Sequence, residues 1–293
     1  MTGHGGSVDE QVGIVARLGL TPLKGAAHLH PERVVVRPDE VVGDRRWALI
    51  QPVASGWRIV RTVESPRMTA VRARCDAEGV LHLELPGGRW SVVDGADSAG
   101  AGTAGVVAEY WGPPVGVHLV PGLWDGALSD LLDREVHLVT VDRAGAVVFA
   151  EPVSIVTTSS VRAIARRAGL GAREFVGDSE FVGDSGACEG GVDDERFRAS
   201  MVIDTAGLPA FAEDHWVGGR LWVGSVELIV RQRLARCGVI RIRPGTGAVG
   251  GPDPLRLLAA DRVVDGEVVF GLGADVAVPG EIAVGDAVRL SRA

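Results

Sequence analysis

The sequence predicts a mainly β protein with a few short helices, built as an N-terminal β-barrel domain followed by a C-terminal β-barrel. Three observations lead there. Valine is frequent throughout, and its branched Cβ suits a pleated, half-buried surface better than a helix. Short apolar runs recur with Gly, Pro, Ser or Asp between them, the rhythm of an antiparallel sandwich or barrel. The chain holds 41 glycines and is 46% hydrophobic, so it is rich in turns and able to build a substantial core. At 293 residues it exceeds one typical domain, and the expected division is 12–143 and 144–293.

Taken in order, residues 12–19 (VGIVARLG) read as the first strand and Thr21-Pro22-Leu23-Lys24-Gly25 as the loop after it. Strands follow at 34–38, 47–50, 57–60, 70–74 and 81–85, and the Gly/Ala-rich stretch 95–106 reads as an irregular loop. Strands at 117–120 and 136–141 flank a short helix at 126–132. The clearest helix spans 160–168: Ser159 is its expected N-cap, Val161, Ile164 and Ala165 share a face, and Gly169 ends it. A tandem hexapeptide then fills Glu174–Ser185, a small duplication that lengthens a surface loop, or else a lid over a site. The remaining strands are placed at 201–204, 220–223, 226–230, 239–243, 267–272, 274–278 and 287–290. A tight turn at Gly224-Ser225 and corners at 279–282 and 284–286 make this a small closed barrel.

Several functional classes are excluded or disfavoured. A net charge of -8 argues against a general nucleic-acid binder, although arginines can still gather around one local anion. Cys75, Cys188 and Cys237 lie far apart and form no CxxC pair, which fits a reducing compartment. Met1 to Gln11 lacks the charged start and apolar run of a signal peptide, and no apolar stretch approaches a membrane span. The expectation is a soluble, cytoplasmic protein with no membrane or nucleic-acid partner. Neither a GxGxxG fingerprint nor a phosphate-binding P-loop occurs in the required context. His28 and His30 are neighbours without a spacing that completes a zinc site, and His215 reads as a polar loop residue or a proton donor near a site.

Cys237 is the residue of chemical interest. An isolated cysteine in a β protein is usually a small buried hydrophobe. Against that, Arg231, Arg233, Arg236, Arg241 and Arg243 surround it, and on a strand the alternate ones would share its face. A positive field stabilises the thiolate, the form that ligates soft metals or carries sulfur. Guanidinium groups also match phosphate oxygens in pairs.

From Arg196 onward the segments RFRASMVID, FAEDHWVGGRLWVGSVELIV, Arg236-Cys237 and PGEIAVGDAVRL together resemble the MOSC domain, the module named after molybdenum-cofactor sulfurases. Upstream, TPLKG (21–25) and GDRRW (43–47) resemble the two landmarks of the β-barrel domain that often precedes it. The resemblance, which extends to amidoxime-reducing members, implies that Cys237 ligates molybdenum and is the catalytic centre. It implies that Lys24, Arg45 and Arg198 hold the phosphate of the pterin cofactor, with Arg236, Ser200 and Thr157 as further cofactor contacts. The family is also associated with pyridoxal phosphate.

Departures from the pattern fall at Gly25 (serine in the family), Ala199-Ser200 (Pro-Asn) and Phe149-Ala150-Glu151-Pro152 (a polar Asp/Thr/Ser-Pro group). Val63 stands where an arginine is usual, with Arg61 close by, and Arg243-Pro244-Gly245-Thr246-Gly247 replaces an Asp-Pro-x-x-Gly. Three functions are compatible with this. The first is a molybdenum-cofactor oxidoreductase that reduces N-oxygenated small molecules, with electrons from a partner protein. The second is a sulfur carrier or transferase using a Cys237 persulfide supplied by a cysteine desulfurase. The third is a non-catalytic binding module.

Overall fold

The computed structural model describes residues 10–76, 79–85, 89–93, 105–169, 194–205 and 207–292. In its first half the elements are β1 (Glu10–Leu18), β2 (Arg33–Arg37), β3 (Glu40–Val41), β4 (Trp47–Val53), β5 (Gly56–Ile59), β6 (Arg72–Cys75), β7 (Leu81–Leu85), β8 (Arg89–Val93), β9 (Gly105–Glu109), β10 (Val115–Leu119), α1 (Leu123–Leu132) and β11 (His137–Val141). The second half holds β12 (Val153–Thr157), α2 (Thr158–Arg167), β13 (Met201–Asp204), β14 (Arg220–Val223), β15 (Val226–Ala235), α3 (Pro254–Ala259), β16 (Val263–Val264), β17 (Glu267–Val278), β18 (Gly280–Ala283) and β19 (Ala287–Ser291). The protein is mainly β, as the sequence predicts.

Two closed barrels organise these strands. The first runs β10-β11-β4-β5-β9 and closes on itself. The second runs β12-β13-β1-β19-β14-β15-β17, and pairing of β17 with β12 completes the ring. Closure removes the exposed edges on which a sheet of short strands would otherwise aggregate. β1 lies between β13 and β19, antiparallel to both, and β2 pairs with β18. Residues on both sides of position 143 therefore build the second barrel.

Burial explains the sequence patterns. Trp47 and Leu49 of β4 pack outward against Met68, Leu81, Leu83 and Leu128, whereas Ala48 and Ile50 face Ile59, Val117 and Val139 inside the barrel. A strand covered on both faces reads as an unbroken apolar run, which is why WALI does not alternate. Inside the second barrel Val12, Val15 and Leu18 of β1 meet Leu228, Val230, Leu272 and Leu290. α2 presents Val161 and Ile164 to Phe197, Phe270 and Leu258 on the outside of that barrel. Each such side chain contributes about 1.5–3 kcal/mol by leaving water.

Some expectations are corrected. α2 begins two residues early because Thr157, not Ser159, caps it: the Thr157 hydroxyl accepts the Ser160 N–H. The strand expected at 239–243 is a 3₁₀ turn over Gly238–Arg241. The sheet has no partner to offer there, because the pairing of β15 with β17 ends at Ala235 and Val269. The strands expected at 267–272 and 274–278 are one continuous β17, and the corner at 279–282 carries β18. Residues 105–106, expected in an irregular loop, open β9. The hexapeptide tandem Glu174–Ser185 and Cys188 lie outside the described residues. Among the described residues no helix is long and apolar enough to cross a membrane.

Candidate functional site

The loop that follows β1 is laced to the segment before β4. Arg45 donates its N–H to the Thr21 carbonyl (2.7 Å), Trp47 to Pro22 (3.0 Å) and Lys24 to the Trp47 carbonyl (2.8 Å). Leu23, fully buried, anchors the loop in the core beside Met68 and Trp47. This short ladder brings Lys24 and Arg45 together although they are far apart in the chain. Asp44 completes it. Its buried carboxylate accepts the Thr21 N–H at 2.8 Å and pairs with the Arg45 guanidinium. Arg45 itself takes a left-handed backbone (φ 48), a conformation held by these contacts on either side of it.

Gly25 has φ +89, and a Cβ there would come within 2.9 Å of the Thr62 hydroxyl oxygen. The position where the family pattern has serine therefore demands glycine in this chain.

Arg198 reaches the same loop from the other barrel. It too is left-handed (φ 52), between buried Phe197 and Ala199, and its Nη2 donates to the Ala26 carbonyl at 2.8 Å. Arg236 fixes the approach of Cys237. Its Nε donates to the Phe270 carbonyl (2.7 Å) and its Nη1 to the Phe197 carbonyl (2.9 Å), so the residue before Cys237 is tied to the residue before Arg198. The Cys237 side chain is exposed at the head of the 3₁₀ turn. It is not the small buried hydrophobe that an isolated cysteine usually is.

The electrostatics join these groups into one site. Burial pushes the Lys24 ammonium down to about 7, helped by Arg45 and Arg198 and opposed by Cys237 and Asp44. Burial, then Arg45, brings Arg198 down to about 10. Arg236 is likewise brought to about 10 by burial, with Cys237 opposing. Lys24, Arg45 and Arg198 thus crowd one another with Asp44 laced among them, and Lys24 and Arg236 feel the charge of the exposed Cys237. That is a field in want of an anion.

Of the seven residues picked out by sequence, Lys24, Arg45, Arg198, Arg236 and Cys237 are brought together. Ser200 and Thr157 are engaged elsewhere. Ser200 exchanges hydrogen bonds with Ser154 across the β12–β13 pair, and Thr157 is the buried cap of α2. The other arginines near Cys237 in sequence are not part of the cluster: Arg231 pairs with Asp275, Arg233 lies by Asp214 and Arg241 by Asp253. They scatter because Cys237 sits on a turn, where alternation along a strand does not apply. Glu151 is held by Gln232 and packs over Gly273 on the second barrel, and it does not figure among the charges felt by Lys24 or Arg198.

Three residues escaped the sequence reading. Tyr110 lies under the Lys24 ammonium, 5.1 Å from its ring centroid, and burial raises its hydroxyl pKa, with Cys237 adding to the rise. As the single tyrosine of the chain it carried no pattern. His28 is held neutral by burial and by Arg198, Arg45 and Arg17, and both its ring nitrogens are buried without a hydrogen-bond partner. Glu195, which burial would raise, is kept below the usual range by His30, Arg17 and Arg198. Among the described residues no group of three or more His, Cys, Asp or Glu is placed to hold a metal, so any metal here would rest on few protein ligands.

No curated protein matches the chain. Among solved structures it is similar to the YuaD protein from Bacillus subtilis, at 10% identity and a TM-score of 0.44 over 98% of this chain and 100% of that one. A second similar structure, from Bordetella bronchiseptica, has 16% identity and a TM-score of 0.28 over 33% of this chain and 71% of that one. The MOSC domain model matches residues 133–289, a span that holds Arg198, Arg236 and Cys237 and more than half of the sequence. The chain belongs to the MOSC domain family, which is associated with the molybdenum cofactor.

Proposed function

We propose that the protein binds the molybdenum cofactor and uses it to reduce N-oxygenated small molecules, with electrons from a separate protein. The observation that supports this reading is the clustering of Lys24, Arg45 and Arg198 about one loop, with Lys24 feeling the charge of the exposed Cys237. The residues present fit the group. A thiolate suits a soft metal, and clustered cations whose mutual repulsion Asp44 and Glu195 only partly offset suit a phosphate.

Bound there, the cofactor would supply oxygen-transfer redox chemistry at its metal. Cys237 would hold that metal as thiolate, while Lys24, Arg45 and Arg198 would hold the phosphate. Arg236 would act through the backbone it fixes, since its Nε and Nη1 donate to the Phe270 and Phe197 carbonyls. A phosphate beside Lys24 would restore its proton, since an anion favours the charged form. Ser200 and Thr157 would support the strand and helix around the site. Overall reduction breaks the N–O bond, takes up two electrons and two protons, and releases the oxygen as water. The chain has no flavin or iron–sulfur motif, so the electrons would come from a partner.

The test is the metal and pterin content of protein made in a molybdenum-replete host. Both should be present in the wild type, the metal lost in Cys237→Ser and the pterin depleted in Lys24→Met and Arg45→Met. Protein free of both, with every thiol reactive, would refute the proposal.

The exposure of Cys237 favours a second reading, a persulfide carrier loaded by a cysteine desulfurase. Mass spectrometry after incubation with a desulfurase and cysteine would then find one extra sulfur on Cys237. Equal uptake by Cys237→Ala would dismiss it.

A further inference from the structure

The first barrel carries a cleft of about 240 Å³, lined by Arg58, Ile59, Arg61, Glu109, Tyr110 and Trp111. Two contacts connect it to the site. Tyr110 faces both: its ring carries the Lys24 ammonium, and its hydroxyl feels the charge of Cys237. Val63, two residues beyond Arg61, packs by Gly238, the residue after Cys237.

The walls of the cleft have a definite chemistry. Trp111 is 60% exposed, an unusual position for the largest aromatic side chain, and the Arg61 guanidinium stacks on it at 4.8 Å. Arg58 and Arg61 share a single carboxylate, that of Glu64. The Nε of each arginine is buried without a hydrogen-bond partner. A buried donor left without an acceptor is unfavourable, so Glu64 leaves neither guanidinium fully satisfied. Glu109 stands across from Arg58 in the β5–β9 pairing, but its carboxylate is turned to the Ser55 hydroxyl at 2.7 Å. Lys24 and Arg45 add to the positive side of the balance from behind Tyr110. The volume falls below the range of about 300 Å³ and upward that holds drug-sized ligands, so the occupant is small.

We propose that this cleft is the substrate subsite of the Cys237 centre and takes a single-ring aromatic molecule bearing one carboxylate or similar anion. The ring stacks against Tyr110 and Trp111, the anion lies against the exposed parts of the Arg58 and Arg61 guanidinium groups, and the opposite edge of the ring faces Cys237. This rests on reading Cys237 as the reactive centre, and it names the substrate class that reading leaves open.

The experiment uses the full chain and three probes of one shape: benzoate, benzamide and benzylamine. Binding is measured by calorimetry, and the rate of Cys237 alkylation by iodoacetamide is followed by peptide mass spectrometry. Benzoate should bind at least about tenfold more tightly than benzamide or benzylamine and should slow alkylation of Cys237 at least about threefold. Arg61→Met and Trp111→Ala should each weaken benzoate about tenfold or more while a cooperative thermal unfolding transition shows that both variants stay folded. Equal binding of the three probes, benzoate binding that ignores both substitutions, or unprotected Cys237 at saturation would each overturn the proposal. Molybdenum and pterin are assayed separately. Protein lacking both that still binds benzoate and shields Cys237 would refute the cofactor reading and leave the subsite standing.

Discussion

Replacing Asp44 by asparagine tests whether one carboxylate organises the cationic cluster. Asp44 is 5% exposed, accepts the Thr21 N–H and pairs with Arg45, whose side chain is 16% exposed. Asparagine has the same shape and keeps an oxygen for Thr21, but it turns an NH₂ toward a guanidinium that needs an acceptor. Removing one partner of a fully buried pair costs about 3–5 kcal/mol. The partial exposure of Arg45 lets water recover some of that, so a loss of about 2–3 kcal/mol is expected. At about 2–4 °C per kcal/mol for larger domains, the unfolding midpoint should fall by about 4–12 °C. Calorimetry on Asp44→Asn, Arg45→Met and the double variant closes a mutant cycle, and the double variant should be less destabilised than the sum by about 1 kcal/mol or more. A shift under about 2 °C, or strict additivity of the two changes, would show that Asp44 is not the organiser.

Three further outcomes follow from the same geometry. Lys24 has its folded pKa lowered to about 7 from the ordinary value of 10.5, so between those values the unfolded chain binds the extra proton. Stability should therefore rise with pH from 7 toward 10, and Lys24→Met should abolish that part of the slope in urea titrations run across the window; a slope unchanged by the substitution would count against burial of the ammonium. Gly25→Ser should cost about 1–3 kcal/mol, since it places a side chain at φ +89 against Thr62, and Gly25→Ala should cost a similar amount if the backbone rather than the hydroxyl decides. Thr157→Ala should cost about 1–2 kcal/mol through the lost cap of α2, more than Ser159→Ala, as denaturant midpoints would show.

Much of the fold was legible because it depends on local signals. β13, β14 and β19 stand within a residue of where alternation placed them, and the Gly224-Ser225 turn joins β14 to β15 through Val223 and Val226 as expected. What local pattern could not reveal is pairing between distant segments. Nothing in VGIVARLG states that β1 closes the second barrel between β13 and β19, because its partners lie almost two hundred residues away or more. The turn at Gly238–Arg241 was misread for a related reason. Its apolar residues, Val239 and Ile240, look like a strand, and only the end of β17 pairing at Val269 decides that they are not one.

The candidate site was legible residue by residue and illegible as an arrangement. Lys24 and Arg45 were found as separate landmarks, yet their meeting depends on three backbone hydrogen bonds between 21–24 and 45–47. Of the arginines near Cys237 in sequence, Arg231, Arg233 and Arg241 are dispersed to Asp275, Asp214 and Asp253, while Arg198, about forty residues away, joins Arg236 in the cluster. Position of β1 explains this exchange. As a stave of the second barrel it carries the 21–26 loop from its C-terminal end to the Ala26 carbonyl contact with Arg198, while the ladder to β4 carries the same loop to the first barrel. The cations therefore converge where the two barrels share one loop, held by the core packing of Leu23 and Phe197 and partly offset by the Asp44 and Glu195 carboxylates. A site held this way is preorganised: its positive field exists before any anion arrives, so binding need not reorder the protein to create it.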